Sequence, residues 1–155
     1  MRIAVCGANG FIGTQLSQAL VLSGHEVVRV GREHFKNPHS LSCSLEGCDV
    51  VVNLCGAPIL KKWDEIYKHE LYVSRIETTK KLLKEIADLE KKPRQFISVS
   101  AVGIYEEDKV HEDDSTQYGT SYLALLAKEW EQQASKAEQL GLKTTILRLG
   151  GCPWS

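Results

Sequence analysis

The sequence predicts an α/β fold, a doubly wound parallel sheet, and three observations carry that expectation. Short apolar runs of strand length alternate with longer helical stretches along the chain. A glycine-spaced segment joins the first run to the first helical stretch. The run Asp49-Val50-Val51-Val52-Asn53-Leu54 is β-branched almost throughout, as in a strand buried on both faces.

The elements follow in order. Ile3-Ala4-Val5-Cys6 reads as a buried strand beginning at residue 2, and Thr14 to Leu22 reads as a helix. Gly24 marks the helix end, and His25 to Val30 reads as the second strand. Residues 33–47 are polar, with Pro38 and several serines, and read as a loop with room for one short strand. Asp49 to Leu54 is the next strand. Trp63 to Glu90 is helical: Ile66, Leu71, Ile76, Leu82 and Ile86 fall at helical spacings, with a phase shift near Ser74. Pro93 ends it, and Gln95 to Val99 is the following strand. Residues 106–118 form an acidic, turn-rich loop. Ser121 to Leu140 reads as a helix closed by Gly141, and Leu142 to Leu149 as the last strand. This alternation implies parallel pairing with right-handed crossovers.

The 155 residues fit one domain, 1–155, with 43% hydrophobic and 25% charged residues. A net charge of -1 offers no attraction for nucleic acid or an anionic membrane. No apolar run approaches the roughly 20 residues of a membrane span. Met1 leads directly into a strand, so no signal peptide is expected. The five cysteines are odd in number and irregularly spaced, which points to reduced thiols in a cytoplasm and no metal site. The five histidines lie in polar surroundings and read as surface residues.

The segment Gly7-Ala8-Asn9-Gly10-Phe11-Ile12-Gly13 lies between a strand and a helix, the arrangement that binds a dinucleotide. Gly7 permits the tight turn, Gly10 lets backbone N–H groups approach a pyrophosphate, and Gly13 lets the helix pack on the strand. Asn9 lies within the turn, and Phe11 and Ile12 would offer N–H groups at the helix start. Arg32 follows the second strand, where the adenosine ribose lies in such folds. An arginine there pairs with a 2′-phosphate, whereas an acid accepts from both ribose hydroxyls. The nearest acid, Glu33, is one residue further on, so NADP(H) is expected over NAD(H). Leu54-Cys55-Gly56 leaves the next strand with small residues on which a cofactor can lie.

Five stretches together resemble the extended, atypical branch of the short-chain dehydrogenase/reductase superfamily, and within it the nucleoside-diphosphate-sugar epimerase-like group. They are Gly7 to Gly13; Asn53 to Gly56; Lys62 to Glu65 with Ser74 to Thr79; Ser98 to Tyr105; and Trp130-Glu131 with Leu147-Arg148. The resemblance implies a Rossmann fold, an NADP-type cofactor and, in the full family, hydride transfer on a sugar-nucleotide-like substrate. It carries over Ser100 as the group that polarises the substrate oxygen, with Ser98 second.

The family's Tyr-x-x-x-Lys pair does not carry over. Tyr122 and Lys128 are six residues apart, about 240° around a helix. If Glu131 marks the family's acidic position four beyond the lysine, the resemblance puts the pair's sites at Leu123 and Ala127, neither of which does acid–base work. Tyr105, Tyr118 and Tyr122 remain as tyrosines that could reach the site from elsewhere. The resemblance also implies a C-terminal substrate domain beyond the last strand, which this chain is expected to lack, and Pro153-Trp154-Ser155 departs from the family's pattern. Besides a small-molecule enzyme, the sequence therefore leaves open a non-catalytic NADP-binding or regulatory protein and an inactive truncated product prone to self-association as a homo-oligomer.

Overall fold

The computed structural model describes residues 1–150. The expected departure at Pro153-Trp154-Ser155, and Cys152, lie outside the described residues.

Five parallel strands form one sheet: β1 (Arg2–Cys6), β2 (Glu26–Val30), β3 (Val50–Asn53), β4 (Gln95–Ala101) and β5 (Lys143–Leu149), in the order β2-β1-β3-β4-β5. The helices are α1 (Phe11–Leu22), α2 (Pro38–Leu45), α3 (Glu65–Tyr72), α4 (Thr78–Asp88) and α5 (Tyr122–Ser135). Alternation along the strands divides the core between the two faces. Ile3, Val5, Val50 and Val52 pack with Leu16 and Leu20 of α1. Ala4, Cys6, Val51 and Phe96 face the other way, against Leu41 and Leu45 of α2, Leu82 and Ile86 of α4, and Ala134 of α5. The sheet is doubly wound, as expected. Among the described residues no helix is long and apolar enough to cross a membrane.

Residues 33–47 correct the sequence reading. A single 3-10 turn (His34–Lys36) leads into α2, and no strand forms there. Asn37 caps α2, its side chain accepting from the N–H groups of His39 (3.0 Å) and Ser40 (3.4 Å), with Pro38 in the first turn. The serines of this segment have modest helix propensity, but Leu41 and Leu45, four apart, bury against the sheet and decide the outcome. Asn37→Ala is expected to lower stability by about 1 kcal/mol, read from urea denaturation. With no strand between β2 and β3, the chain crosses from β2 over β1 and pairs β3 with β1. The strand order therefore reverses between β1 and β3, and a crevice opens at their carboxyl ends.

Other boundaries shift for local reasons. Helix α1 begins at Phe11, directly from the glycine turn, with Gly10 as its N-cap. The long helical stretch is interrupted near Ser74, as its phase shift predicted: Val73–Glu77 forms a π turn between α3 and α4. The last helix ends its α-geometry at Ser135 and tightens into a 3-10 turn (Lys136–Leu140) before Gly141 at φ 81°. The acidic loop is tied across its neck by the antiparallel bridge Tyr105–Tyr118. His111, read as a surface residue, stacks on Tyr105 at 4.8 Å between centroids, with its Nε2 2.8 Å from the Glu106 carbonyl oxygen.

Candidate functional site

A cleft of about 830 Å³ lies at the carboxyl ends of β1 and β3. The glycine turn (Gly7, Asn9, Gly10) forms its floor, residues 54–57 one side, Gly31 to Glu33 the outer edge, and α3 with the π turn the remaining wall. Seven predicted residues meet there: Gly7, Asn9, Gly10, Arg32, Leu54, Cys55 and Gly56.

Each glycine of the turn has a separate geometric reason. Gly7 has φ 81°, and a Cβ on it would lie 3.0 Å from the Leu54 carbonyl carbon. A Cβ on Gly13 would lie 2.3 Å from the Gly7 oxygen and 2.7 Å from Ala8 Cα, so α1 sits against the turn only because this side chain is absent. A Cβ on Gly10 would meet nothing nearer than 3.4 Å, so its bareness serves space outside the chain. The first helical bond of α1 runs from Thr14 N–H to Gly10 O (2.9 Å). The N–H groups of Phe11, Ile12 and Gly13 thus have no intrahelical partner, and the Gly10 cap has no side chain to satisfy them. No acidic residue occupies the first turn. An anion is the complement of such a helix end. Arg29 of β2, which the sequence reading did not single out, braces the turn by donating to Ala8 O (2.7 Å).

The opposite wall is held from beneath. Asn53 is fully buried; its Oδ1 accepts the Cys55 N–H (3.2 Å), and its amide donates to Thr79 Oγ1 (3.1 Å). The π turn aims two side chains at the same loop. Ser74 Oγ accepts the Ala57 N–H (2.9 Å), and Arg75 donates to the Ala57 carbonyl (2.9 Å) while lying 5.3 Å from the Trp130 ring centroid. Residues 55–57 of this wall are thereby fixed by side chains from β3, the π turn and α4.

The charges in the cleft are unequal. Arg32 is exposed and forms no ion pair among the described residues. Burial pushes the Cys55 thiol up to about 12, although the Arg32 charge pulls the other way, so Cys55 stands in the wall as a neutral thiol at physiological pH. Among the described residues no group of three metal-ligating side chains could hold an ion.

The structure does not bring Ser100 to this cleft. Its side chain is buried, and its hydroxyl makes no hydrogen bond. Ser100 pairs in register with Arg148 of β5 and lies on the side of Glu131 in α5. Ser98 is also buried, as an acceptor of the Asn53 amide (3.4 Å). Arg148 donates to both carboxylate oxygens of Glu131 (2.8 and 2.9 Å) and to the hydroxyls of Tyr105 (2.7 Å) and Tyr118 (3.1 Å). Burial alone would raise the Glu131 pKa, but the paired Arg148 guanidinium holds the carboxyl below its usual range. Tyr122 donates to the Lys68 carbonyl (2.9 Å). All three spare tyrosines are thus committed to structural bonds. At the sites of the family's pair, Leu123 lies beside the acidic loop and Ala127 is buried.

Comparison with known proteins agrees with the fold. The model of the NAD dependent epimerase/dehydratase family matches residues 3–151. Epimerase family protein YfhF of Bacillus subtilis is 32% identical over 97% of this chain and 54% of its own length. Mouse epimerase family protein SDR39U1 is 35% identical over 86% of this chain and 49% of its own. The crystal structure of human SDR39U1 (isoform 2) with NADPH superposes with a TM-score of 0.81 at 31% identity, covering 96% of this chain and 53% of that one. A nucleoside-diphosphate sugar epimerase from Corynebacterium glutamicum gives 0.77 at 29%, over 96% of this chain and 33% of its own. The chain spans about half the length of the curated relatives it matches. On the glycine turn, the sheet order and these matches, the chain belongs to the NAD dependent epimerase/dehydratase family.

Proposed function

We propose that this chain is an NADP(H)-binding Rossmann domain. The observation that carries the reading is the cleft at the β1/β3 switch point, where a bare helix N-terminus faces an unpaired Arg32 across the turn. The helix end suits the pyrophosphate and Arg32 suits the adenosine 2′-phosphate. Human SDR39U1, solved with NADPH, supports the same choice. In a whole protein of this family the domain would present nicotinamide for hydride exchange with a sugar-nucleotide-like small molecule, in the cytoplasm.

Fluorescence titration with NADPH and NADH tests the reading, with NADPH expected to bind more tightly. Arg32→Ala is expected to weaken NADPH by about tenfold and NADH by much less, because one charge-assisted contact to phosphate is lost. Tighter binding of NADH would overturn the choice of cofactor, and binding of neither would remove the dinucleotide reading.

A second reading, a binder without turnover, is favoured by Leu123 and Ala127 at the pair's sites and by the buried Ser100 hydroxyl. NADPH consumption with carbonyl and sugar-nucleotide substrates separates the two. Turnover abolished by Ser100→Ala supports the enzyme with Ser100 as polariser; binding without turnover supports the binder.

A further inference from the structure

The outer edge of the cleft holds an acid that the strand end itself lacks. Gly31, the first residue beyond β2, has no side chain. Glu33 folds back over it: its two carboxylate oxygens lie 2.5 and 2.6 Å from where a Gly31 Cβ would stand. The carboxylate therefore fills the place that a strand-end acid would occupy, one residue before Arg32, and both Glu33 and Arg32 line the cleft. His34 holds the Gly31 backbone beneath the carboxylate, its Nδ1 accepting the Gly31 N–H (3.0 Å).

We propose that Glu33 is a second determinant of cofactor choice, one that opposes Arg32 at the adenosine ribose and makes the cleft accept NAD(H) as well as NADP(H). The proposal rests on the dinucleotide reading of the cleft. An acid at this place accepts from the ribose hydroxyls when the 2′ position is free. With a 2′-phosphate, the same carboxylate meets a like charge and must leave Gly31. Arg32 pulls in the opposite direction. The two neighbouring side chains divide the preference that a single strand-end residue usually sets.

The test measures dissociation constants of NADPH and NADH for the wild type, Glu33→Gln and Glu33→Ala. The Glu33 side chain is 69% exposed, so both variants should fold, with melting temperature as the check. For Glu33→Gln the ratio of the two constants is expected to move about fivefold toward NADPH, as for one partly screened charge. The pair 2′,5′-ADP and 5′-AMP should show the same shift, which places it at the adenosine end; a merely structural effect would weaken all four ligands alike. An unchanged ratio, or a shift toward NADH, in a wild type that binds both cofactors overturns the role of Glu33 alone. A wild type that binds neither cofactor overturns the dinucleotide reading, and this inference with it.

Discussion

Gly13→Ala is expected to destabilise the protein by about 3 kcal/mol and to lower NADPH affinity by at least about tenfold. The added Cβ would stand 2.3 Å from the Gly7 oxygen and 3.0 Å or less from two further backbone atoms of Ala8. Backbone atoms cannot rotate away as a side chain does, so α1 must lift from β1. That lift opens contacts of Leu16 and Leu20 with Ile3, Val5 and Val52, and moves the helix N–H groups relative to the turn. Gly10→Ala is the control. Its Cβ clears the protein by 3.4 Å, so stability should change by less than about 1 kcal/mol while NADPH affinity still falls. Urea denaturation and fluorescence titration of both variants separate the packing glycine from the access glycine. Equal stability of the two variants would contradict these roles.

Arg148→Met carries the second large effect, a loss of about 3 kcal/mol at neutral pH. The side chains of Arg148 and Glu131 are 20% and 13% exposed, so the substitution leaves a nearly buried carboxylate without its cation. It also removes the donor shared by Tyr105 and Tyr118, which hold the base of the acidic loop. The pH dependence follows in sign. Glu131 titrates lower in the folded protein than in the unfolded chain, so its contribution is present above the unfolded carboxyl value of about 4.3. That contribution is lost as pH falls through the depressed folded value. In the variant, burial without Arg148 favours the protonated acid. The gap between wild type and variant should therefore be widest near neutral pH and shrink as pH drops below about 4. Denaturation curves at the two pH values measure it, and a gap that does not narrow would exclude the Glu131 charge as its source.

These two networks explain why some of the family resemblance points to the fold and not to chemistry. Arg75 stacks on Trp130 and Arg148 binds Glu131, so stretches far apart in sequence meet as staples of the sheet and α5. Both belong to the stretches that carry the resemblance, and neither lies over the glycine turn.

Local chemistry was legible in the chain wherever its cause is local. The glycine spacing requires a turn at Gly7, an open surface at Gly10 and close packing at Gly13, and the structure places all three accordingly. The β-branched run at Val50–Asn53 foretold a buried strand, and the phase shift read near Ser74 falls where the π turn lies. Helix α2 was missed because Asn37-Pro38 is its one strong local signal, and burial of Leu41 and Leu45 supplies the rest. Where a side chain points was not legible. Ser100 lies near Glu131 because the β4–β5 register pairs it with Arg148, and Glu33 covers Gly31 because a 3-10 turn follows β2. The sequence by itself determined a parallel α/β sheet with a glycine turn opening onto a helix N-terminus, since backbone sterics and hydrophobic period act over a few residues. Only the tertiary structure decided the partners of Ser100, Arg148 and Glu33, since strand register and helix packing join residues that no local pattern links.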